Sequence, residues 1–305
     1  HAGDRARRCR QEQEKQEGQT VSTVYLNGQF LPMEEARISP MDRGFLFGDG
    51  IYEVVPCHGG RAIGLAPHLD RLQRGLDAID LRLRVDRREW TGIVEELADR
   101  FGGGHVGIYI QISRGADLRR NHAMPRDIEA TRYAFAFEIP PPPRADKAAA
   151  PRFSVTTGRD LRWQRCHIKS TSLLGNVLHY QQGQDAGAQE TLLFNGDDEL
   201  TEAAACNVFI VRDGIVATPL LDHQKLPGIT RFMLLDMLRR FSPRCVEERI
   251  VPRDEVHAAD EIWLTSSSKE VAPVVAIDGR PVGDGEVGDV WLEAQRLFCE
   301  HRYDY

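Results

Sequence analysis

The sequence predicts a mixed α/β fold of two domains, a small N-terminal α+β domain and a larger C-terminal α/β domain. Three observations lead to this prediction. The chain has 305 residues, which is longer than a single domain of typical size. Residues 21–139 and 153–305 each combine strand-like alternation with helical spacing of apolar residues. Between them, residues 140–152 read PPPPRADKAAAPR, and four prolines in a row favour a semi-rigid linker.

Composition narrows the function. Net charge is −7, so nucleic acid is not an expected partner, because phosphate binding needs concentrated lysine and arginine. No apolar run is long enough to cross a bilayer. The six cysteines are scattered, without a C-x-x-C pair, which favours reduced thiols in a cytoplasmic enzyme over a disulfide framework or a metal site. Residues 1–20 are strongly polar and predict a disordered tail.

The elements of the N-terminal domain follow in order. YLNGQFLP predicts a hairpin that turns at Asn27-Gly28, and GIYEVVPCHGGRAIGL predicts a second pair of strands around Gly59-Gly60. APHLDRLQRGLDAIDL and REWTGIVEELADRF have the apolar spacing of amphipathic helices. HVGIYIQISRG and RYAFAFEIP are rich in aromatic and branched residues, so both predict strands.

The C-terminal domain begins with FSVTTGRDLRW, which predicts a strand leading toward Lys169. LLGNVLHYQQGQDAG predicts a helix that ends at Gly187. Short strands follow, with turns at Asn195-Gly196 and Asp213-Gly214. GITRFMLLDMLRRF predicts a helix beginning at a glycine, DEIWLTSSSKEVAPVVAIDGRPV predicts strands, and DVWLEAQRLFCEHR predicts a closing helix.

Lys169 stands out in RCHIKSTSLLGNVL, between an apolar residue and a Ser-Thr-Ser run. Most lysines lie on solvated faces, because a buried ammonium is costly unless it is paired. A lysine kept in a cleft can instead act as a nucleophilic amine that forms a Schiff base. The rest of the sequence has to decide between these two interpretations.

A pyridoxal phosphate site needs such a lysine, a carboxylate for the pyridine nitrogen and a phosphate site built from helix N-terminal amides, hydroxyls and an arginine. Glu202 lies in ELTEAAACNVF, followed by small residues that would let a flat ring approach. LPGITR starts a helix with a glycine and a threonine, LTSSSKE supplies hydroxyls, and HLDRL contains Arg71. Taken singly, each is more commonly a turn carboxylate, a helix cap or a surface arginine.

Together these segments resemble the fold-type-IV pyridoxal phosphate enzymes, and among them the D-amino acid aminotransferases. The likeness runs from Tyr25 to about Val287. DRGFLFGDGIYEVV, HLDRL, RGADLRRNHAMP, RWQRCHIKSTSLLGNVL, LTEAAACNVF, LPGITR and LTSSSKEVAPV occur in the family's order and spacing. The resemblance implies a C-terminal pseudo-barrel domain and a pyridoxal 5'-phosphate cofactor in the cleft between the domains.

The resemblance also implies roles for individual residues. Lys169 would be the Schiff-base lysine and the general acid/base, and Glu202 would contact the pyridine nitrogen. Leu226 would pack against the ring face. The phosphate would be bound by Arg71, Ile229, Thr230 and Ser267, with Ile229 acting through its backbone amide.

Substrate recognition in the D-amino acid enzymes uses a tyrosine, an arginine and a histidine that hold the α-carboxylate. Tyr52 matches the first, and Arg120 and His122 match the R-x-H pair, which the family donates from the neighbouring subunit of a homodimer. The loop RGADLRRNH is one residue longer than in well-known members, so Arg119 and Arg120 both remain candidates for the arginine. The segment after Glu202 is Ala-Ala-Ala-Cys, where relatives often carry serines.

The function implied is ping-pong transamination between a D-amino acid, such as D-alanine or D-glutamate, and a 2-oxo acid. Three alternatives on the same scaffold stay open: aminodeoxychorismate lyase, branched-chain aminotransferase and (R)-amine transaminase. From a different class, the chain could be a cofactor-free binding or scaffold protein that has lost activity. Intact Lys169 and Glu202 argue against that alternative.

Overall fold

A computed structural model describes residues 23–305, so the predicted tail at residues 1–20 lies outside the described residues. The N-terminal part forms a six-stranded antiparallel sheet in the order β2-β1-β6-β5-β3-β4. Its strands are Thr23–Leu26 (β1), Gln29–Pro32 (β2), Gly50–His58 (β3), Arg61–Ala62 (β4), His105–Ser113 (β5) and Thr131–Glu138 (β6). The predicted hairpin turns at Asn27 and Gly28, which have φ angles of 48° and 95°, as a tight turn of this kind requires.

Three helices accompany this sheet, a short one at Arg43–Phe47 (α1) and two long ones at Leu65–Ala78 (α2) and Arg87–Arg100 (α3). A single turn of 3-10 helix covers Met33–Glu35. The long helices bury their apolar faces against the sheet, where Leu72, Trp90 and Ile108 belong to one core. Asp86 caps α3 by accepting hydrogen bonds from the amides of Arg88 and Glu89.

The C-terminal part forms a nine-stranded mixed sheet, in which eight strands follow the order β12-β11-β10-β13-β14-β7-β8-β9 and β15 pairs with β14. Its strands are Phe153–Arg159 (β7), Glu190–Phe194 (β8), Leu200–Ala203 (β9), Asn207–Arg212 (β10), Ile215–Pro219 (β11), Val246–Arg249 (β12), Glu261–Ser266 (β13), Glu270–Ile277 (β14) and Arg280–Pro281 (β15). The pairs β7–β8, β7–β14 and β11–β12 are parallel.

Four helices belong to this second sheet: Leu174–Asp185 (α4), Ile229–Phe241 (α5), Arg253–His257 (α6) and Asp289–His301 (α7). Helices α5 and α7 pack together over one face, where Trp263, Trp291 and Phe298 are fully buried in a common core. A second core fills the other side of the sheet around Phe194, Val208 and Leu264. The predicted mixed α/β fold is confirmed.

The predicted helices and strands are present, including the four-residue strands of the first hairpin, and three short elements were not predicted. Strand β12 and helices α1 and α6 have four or five residues each, too few to show a period in the sequence. Residues 139–152 contain neither helix nor strand, and the division into domains at residues 139 and 153 remains a prediction. Within residues 23–305, no helix combines the length and apolar character that a membrane span requires.

Candidate active site

A cavity of about 360 Å³ lies between the two sheets. Residues from both parts of the chain line it, from β3 and α2 on one side and from the loops around β9, β13 and α5 on the other. Most of the residues predicted for the site meet here: Tyr52, Arg71, Lys169, Glu202, Leu226, Ile229, Thr230 and Ser267. The fold thus gathers side chains that lie more than two hundred positions apart in the sequence.

The segment FSVTTGRDLRW predicted a strand that leads to Lys169. In the structure β7 ends at Arg159, and a loop separates it from the lysine. The loop is held by β3 instead. Tyr52 N donates to Lys169 O at 3.0 Å, and Thr171 N donates to Gly50 O at 2.9 Å. The Lys169 ammonium lies 4.1 Å from the centroid of the Tyr52 ring. Within residues 23–305 no carboxylate forms an ion pair with it, so the amine is open to the cavity.

Glu202 is buried at the base of the cavity, at the end of β9. Its Oε1 accepts a hydrogen bond from Arg162 Nη1 at 2.5 Å, and its Oε2 accepts from Asn207 Nδ2 at 3.1 Å and from the Leu226 amide at 2.9 Å. Burial raises the pKa of this carboxyl, and the neighbouring Arg162 counteracts the rise. Such a carboxylate is suited to accept a hydrogen bond from a ligand or to pair with a positively charged group on it.

Arg162 and Asn207 were not predicted as site residues, although both lie within quoted motifs. Arg162 is buried and is held by Asp160, whose Oδ2 lies 2.7 Å from Nη2. Asn207 donates to Leu226 O at 2.8 Å and to Glu202. A buried carboxylate needs such partners. The spacing D-x-R before the lysine was the available signal, but only the fold pairs it with Glu202.

The other end of the cavity is suited to an anion. Helix α5 begins after Gly228, and no side chain caps it. The amides of Ile229 and Thr230 therefore have no side-chain partner, and both residues line the cavity. A Cβ on Gly228 would lie 2.0 Å from Asn207 Oδ1, so this close approach requires glycine. Ser267, in the turn after β13, adds a hydroxyl to the same wall.

Arg71 lies at this end on α2, buried within a charge cluster. Its Nε and Nη2 each donate to Glu53 at 2.7 Å, and His68 Nδ1 lies 2.7 Å from the same carboxylate. Arg71 Nη1 also donates to Pro227 O at 2.9 Å, immediately before α5. Burial alone would raise the pKa of Glu53, but Arg71 and His68 outweigh it and lower that pKa to about 2.

These residues fit pyridoxal phosphate. Small side chains at Ala203, Ala204 and Ala205 leave a flat slot along one wall. Glu202 with its carboxylate and Lys169 with its amine line the same cavity, together with Ile229 and Thr230 at the uncapped start of α5. A ring with a basic nitrogen, an aldehyde and a phosphate matches this donor set.

Arg120 and His122 are not part of the same chain's cavity. Both are exposed, and both lie against Phe47 of α1: the Arg120 guanidinium is 5.1 Å from the ring centroid, and the His122 ring is 5.4 Å away. The backbone beneath them is fixed, because Arg43 Nη1 donates to Asn121 O at 2.6 Å. Arg119 is also exposed.

A profile of the amino-transferase class IV family matches residues 50–277. The chain belongs to this family. Among similar proteins, the D-alanine aminotransferase of Listeria monocytogenes serotype 1/2a (strain 10403S) is 33% identical over 279 residues, which is 91% of this chain and 95% of that protein. The D-alanine aminotransferase of Staphylococcus haemolyticus is 35% identical over 282 residues, covering 92% of this chain and 98% of the relative. The predicted family and the class of enzyme are confirmed.

Solved structures agree with the fold of this aminotransferase. The branched-chain aminotransferase of Thermoproteus uzoniensis, solved with norvaline, has a TM-score of 0.82 at 21% identity, covering 93% of this chain and 95% of that one. A fold IV-transaminase from Curtobacterium pusillum has a TM-score of 0.79 at 21% identity, covering 93% and 99%. At these identities the likeness concerns the fold alone.

Proposed function

We propose that this aminotransferase uses pyridoxal phosphate to exchange the amino group between a D-amino acid and a 2-oxo acid, with D-alanine and D-glutamate as donors. The observation that carries the proposal is the arrangement of Lys169, Glu202 and the α5 N-terminus around one slot. The D-alanine aminotransferases at 33% and 35% identity support the choice of substrate class.

Each residue has a task in this scheme. Bound pyridoxal phosphate supplies an aldehyde that takes up the amino group and a ring that stabilises negative charge at the adjacent carbon. Lys169 Nζ moves the proton, removing it from the substrate's α-carbon on one face of the slot. Glu202, which accepts a hydrogen bond from Arg162, contacts the ring nitrogen and favours its protonated form. Arg71, Thr230, Ser267 and the Ile229 amide hold the phosphate, and Leu226 packs against the ring.

The substrate carboxylate would be held by Tyr52 from the same chain and by Arg120 and His122 from a second copy in a homodimer. Three features support this clamp. Arg120 and His122 are exposed on one loop, they share contact with Phe47, and they lie outside their own cavity. Of the two candidate arginines, Arg120 shares a contact with Phe47 with His122, which favours Arg120 over Arg119. An arginine and an imidazole together suit a carboxylate.

The test is an absorbance titration of the purified, cofactor-loaded enzyme with D-alanine and L-alanine in separate samples. We expect D-alanine to change the absorption of the bound cofactor, 2-oxoglutarate to restore it, and L-alanine to have little effect. Lys169→Ala is the matched control: D-alanine should produce no complete cycle in this variant, because the group that moves the proton is missing, and no amino group should reach 2-oxoglutarate. A response to L-leucine or to an (R)-amine in place of D-alanine would overturn the substrate class and favour a branched-chain or amine transaminase.

A lyase is distinguished by its products. Pyruvate released from aminodeoxychorismate, without any transfer of nitrogen to 2-oxoglutarate, would replace the proposed transamination with aminodeoxychorismate lyase activity. A folded protein that takes up no pyridoxal phosphate at all would overturn the cofactor assignment as well.

A further inference from the structure

The turn between β13 and β14 has an unusual residue at its end. Residues 267–269 form the turn, and Ser266 pairs with Glu270 across the hairpin. Lys269 N donates to Ser266 O at 3.3 Å. In three-residue hairpins the left-handed position is normally glycine. Here it is Glu270, with a φ of 54°. A glutamate in this strained conformation indicates that its side chain is needed there.

The Glu270 carboxylate is anchored to the C-terminal helix. Its Oε2 accepts a hydrogen bond from Gln295 Nε2 at 2.9 Å, and its Oε1 lies 2.8 Å from Arg302 Nη1. Glu270 and Arg302 are only 3% and 6% exposed, so their charges are little screened. Trp291 Nε1 donates to the next carbonyl of the strand, Val271 O, at 2.9 Å. The inner face of α7 and the residue after it therefore hold the start of β14.

The contact between Glu270 and Arg302 is electrostatic in character. Within residues 23–305, neither Glu270 Oε1 nor Arg302 Nε has a hydrogen-bond partner, although the two charges are in contact. Neither residue lines the cavity, whereas Ser266 and Ser267, four and three positions before Glu270, do. The pair thus lies behind the wall that carries the hydroxyls.

The other side of the turn is anchored as well. Lys269 lies beside Cys206 and Glu190, both of which are buried. Two consecutive residues of opposite charge are thus held by different elements. Lys269 faces β8, and Glu270 faces the end of α7. A turn fixed in this way has little freedom, and a hydroxyl on it keeps a constant position relative to the cavity.

We propose that Glu270 and Arg302 are positioning residues that fix the turn carrying Ser267, so that its hydroxyl meets the cofactor phosphate. This inference rests on the proposed function, because it takes Ser267 as a phosphate ligand. It adds that the affinity for the phosphate group depends on an ion pair outside the cavity.

The experiment compares two ligands of the 305-residue protein freed of cofactor: pyridoxal phosphate and pyridoxal, which lacks the phosphate. The main variant carries Glu270→Gln and Arg302→Gln together, so that no single charge is left buried. We expect it to bind pyridoxal phosphate roughly tenfold more weakly and pyridoxal about as well as before, because one hydrogen bond to a charged group is lost. Arg296→Gln, which breaks an exposed ion pair with Glu300 on the same helix, is the matched control and should change neither affinity.

Two further measurements separate positioning from general stability. In a Ser267→Ala background the double glutamine variant should cause no additional loss, since both changes act through one hydroxyl. An equal loss for both ligands, or fully additive losses, would overturn the inference. If the double variant does not fold, Arg302→Lys replaces it: a lowered preference for pyridoxal phosphate supports positioning, and an unchanged preference overturns it.

Failure of the proposed function has a different signature. If Ser267→Ala itself leaves the preference for pyridoxal phosphate over pyridoxal unchanged, the phosphate assignment of Ser267 is wrong and the inference falls with it. If Ser267→Ala lowers that preference and the loss of the ion pair does not, the phosphate site stands and only the positioning role is rejected.

Discussion

The backbone amide of Tyr52 donates a hydrogen bond of 3.0 Å to the carbonyl oxygen of Lys169. This bond joins β3 of the N-terminal sheet to the loop that carries the lysine. The isolated bridge between Ile51 and Ser170 extends the same contact. With the loop held in this way, the Lys169 ammonium lies over the Tyr52 ring, 4.1 Å from its centroid, where the ring electrons attract a cation. The amine proposed for catalysis is therefore oriented by the other half of the molecule.

Replacing Lys169 by alanine should abolish transamination with little effect on folding. We expect the rate of transamination to fall by about a hundredfold to ten-thousandfold, because the group that moves the proton is lost. The thermal midpoint should stay close to that of the wild type, since no carboxylate in residues 23–305 pairs with this ammonium. Lys147→Ala, which removes an exposed ion pair with Asp289, is the control. A Lys169→Ala enzyme with a rate close to that of the wild type would contradict the assigned role.

Replacing Arg162 by methionine should move the acidic limb of the pH–rate profile to higher pH. Burial raises the pKa of Glu202, and Arg162 is the charge that opposes the rise, so its removal lets the carboxyl protonate more readily. We expect kcat to fall on the order of a hundredfold at neutral pH and to recover partly at alkaline pH. The measurement is kcat between about pH 5 and 9, with the exposed Arg159→Met as control. An unshifted limb would show that Arg162 does not tune Glu202.

Replacing Glu53 by glutamine should destabilise the protein and loosen the phosphate site. Arg71 would lose its buried partner, at a cost of about 3–5 kcal/mol in the free energy of unfolding. The folded pKa of Glu53 is about 2, below its ordinary value of 4.5. Its contribution, about 3 kcal/mol, is therefore present above pH 4.5 and lost as the pH falls toward 2. Urea unfolding of the wild type and of Glu53→Gln across this pH range measures the contribution. A difference in unfolding free energy between the two proteins that is the same at every pH would refute the prediction.

Replacing His58 by glutamine should flatten the pH dependence of stability in a separate window. His58 is buried beside His105, with 3.0 Å between the Nδ1 atoms. Burial, together with His105 and Arg302, lowers its pKa from 6.5 to about 4. The neutral form is favoured in the folded state, so stability is present above pH 6.5 and lost as the pH falls toward 4. His257→Gln, an exposed histidine, should leave the slope unchanged. The same slope in His58→Gln as in the wild type would reject this prediction.

A mixture of two inactive variants should regain activity if the carboxylate clamp is shared between subunits. Lys169→Ala lacks the amine, and Arg120→Ala lacks the clamp. In a mixed dimer, the intact lysine of one copy would meet the intact arginine of the other. After random exchange, about a quarter of the wild-type activity is expected, because half of the dimers are mixed and each has one complete site. Arg119→Ala alone should retain a KM close to that of the wild type. No recovery in the mixture would place the clamp within one chain.

Much of the molecule could be predicted from the sequence because the signals are local. The Asn27-Gly28 hairpin, the apolar spacing in α2 and α3 and the glycine before α5 each depend on a few neighbouring residues. The motif order was enough to assign the family and to name Lys169 and Glu202. A chemical requirement, a lysine and a carboxylate with an anion site, needed no coordinates.

The tertiary structure decided what lies around those residues. Arg162 and Glu202 are forty positions apart in the chain, and Glu53 meets Arg71 from a different element. Burial and charge pairing set the pKa of a carboxyl, and both arise only when distant segments pack together. The same holds for Glu270 and Arg302. The sequence by itself determined the family and predicted which groups do the chemistry, and only the fold determined which charges surround those groups, because electrostatic interactions depend on distance in space and not along the chain.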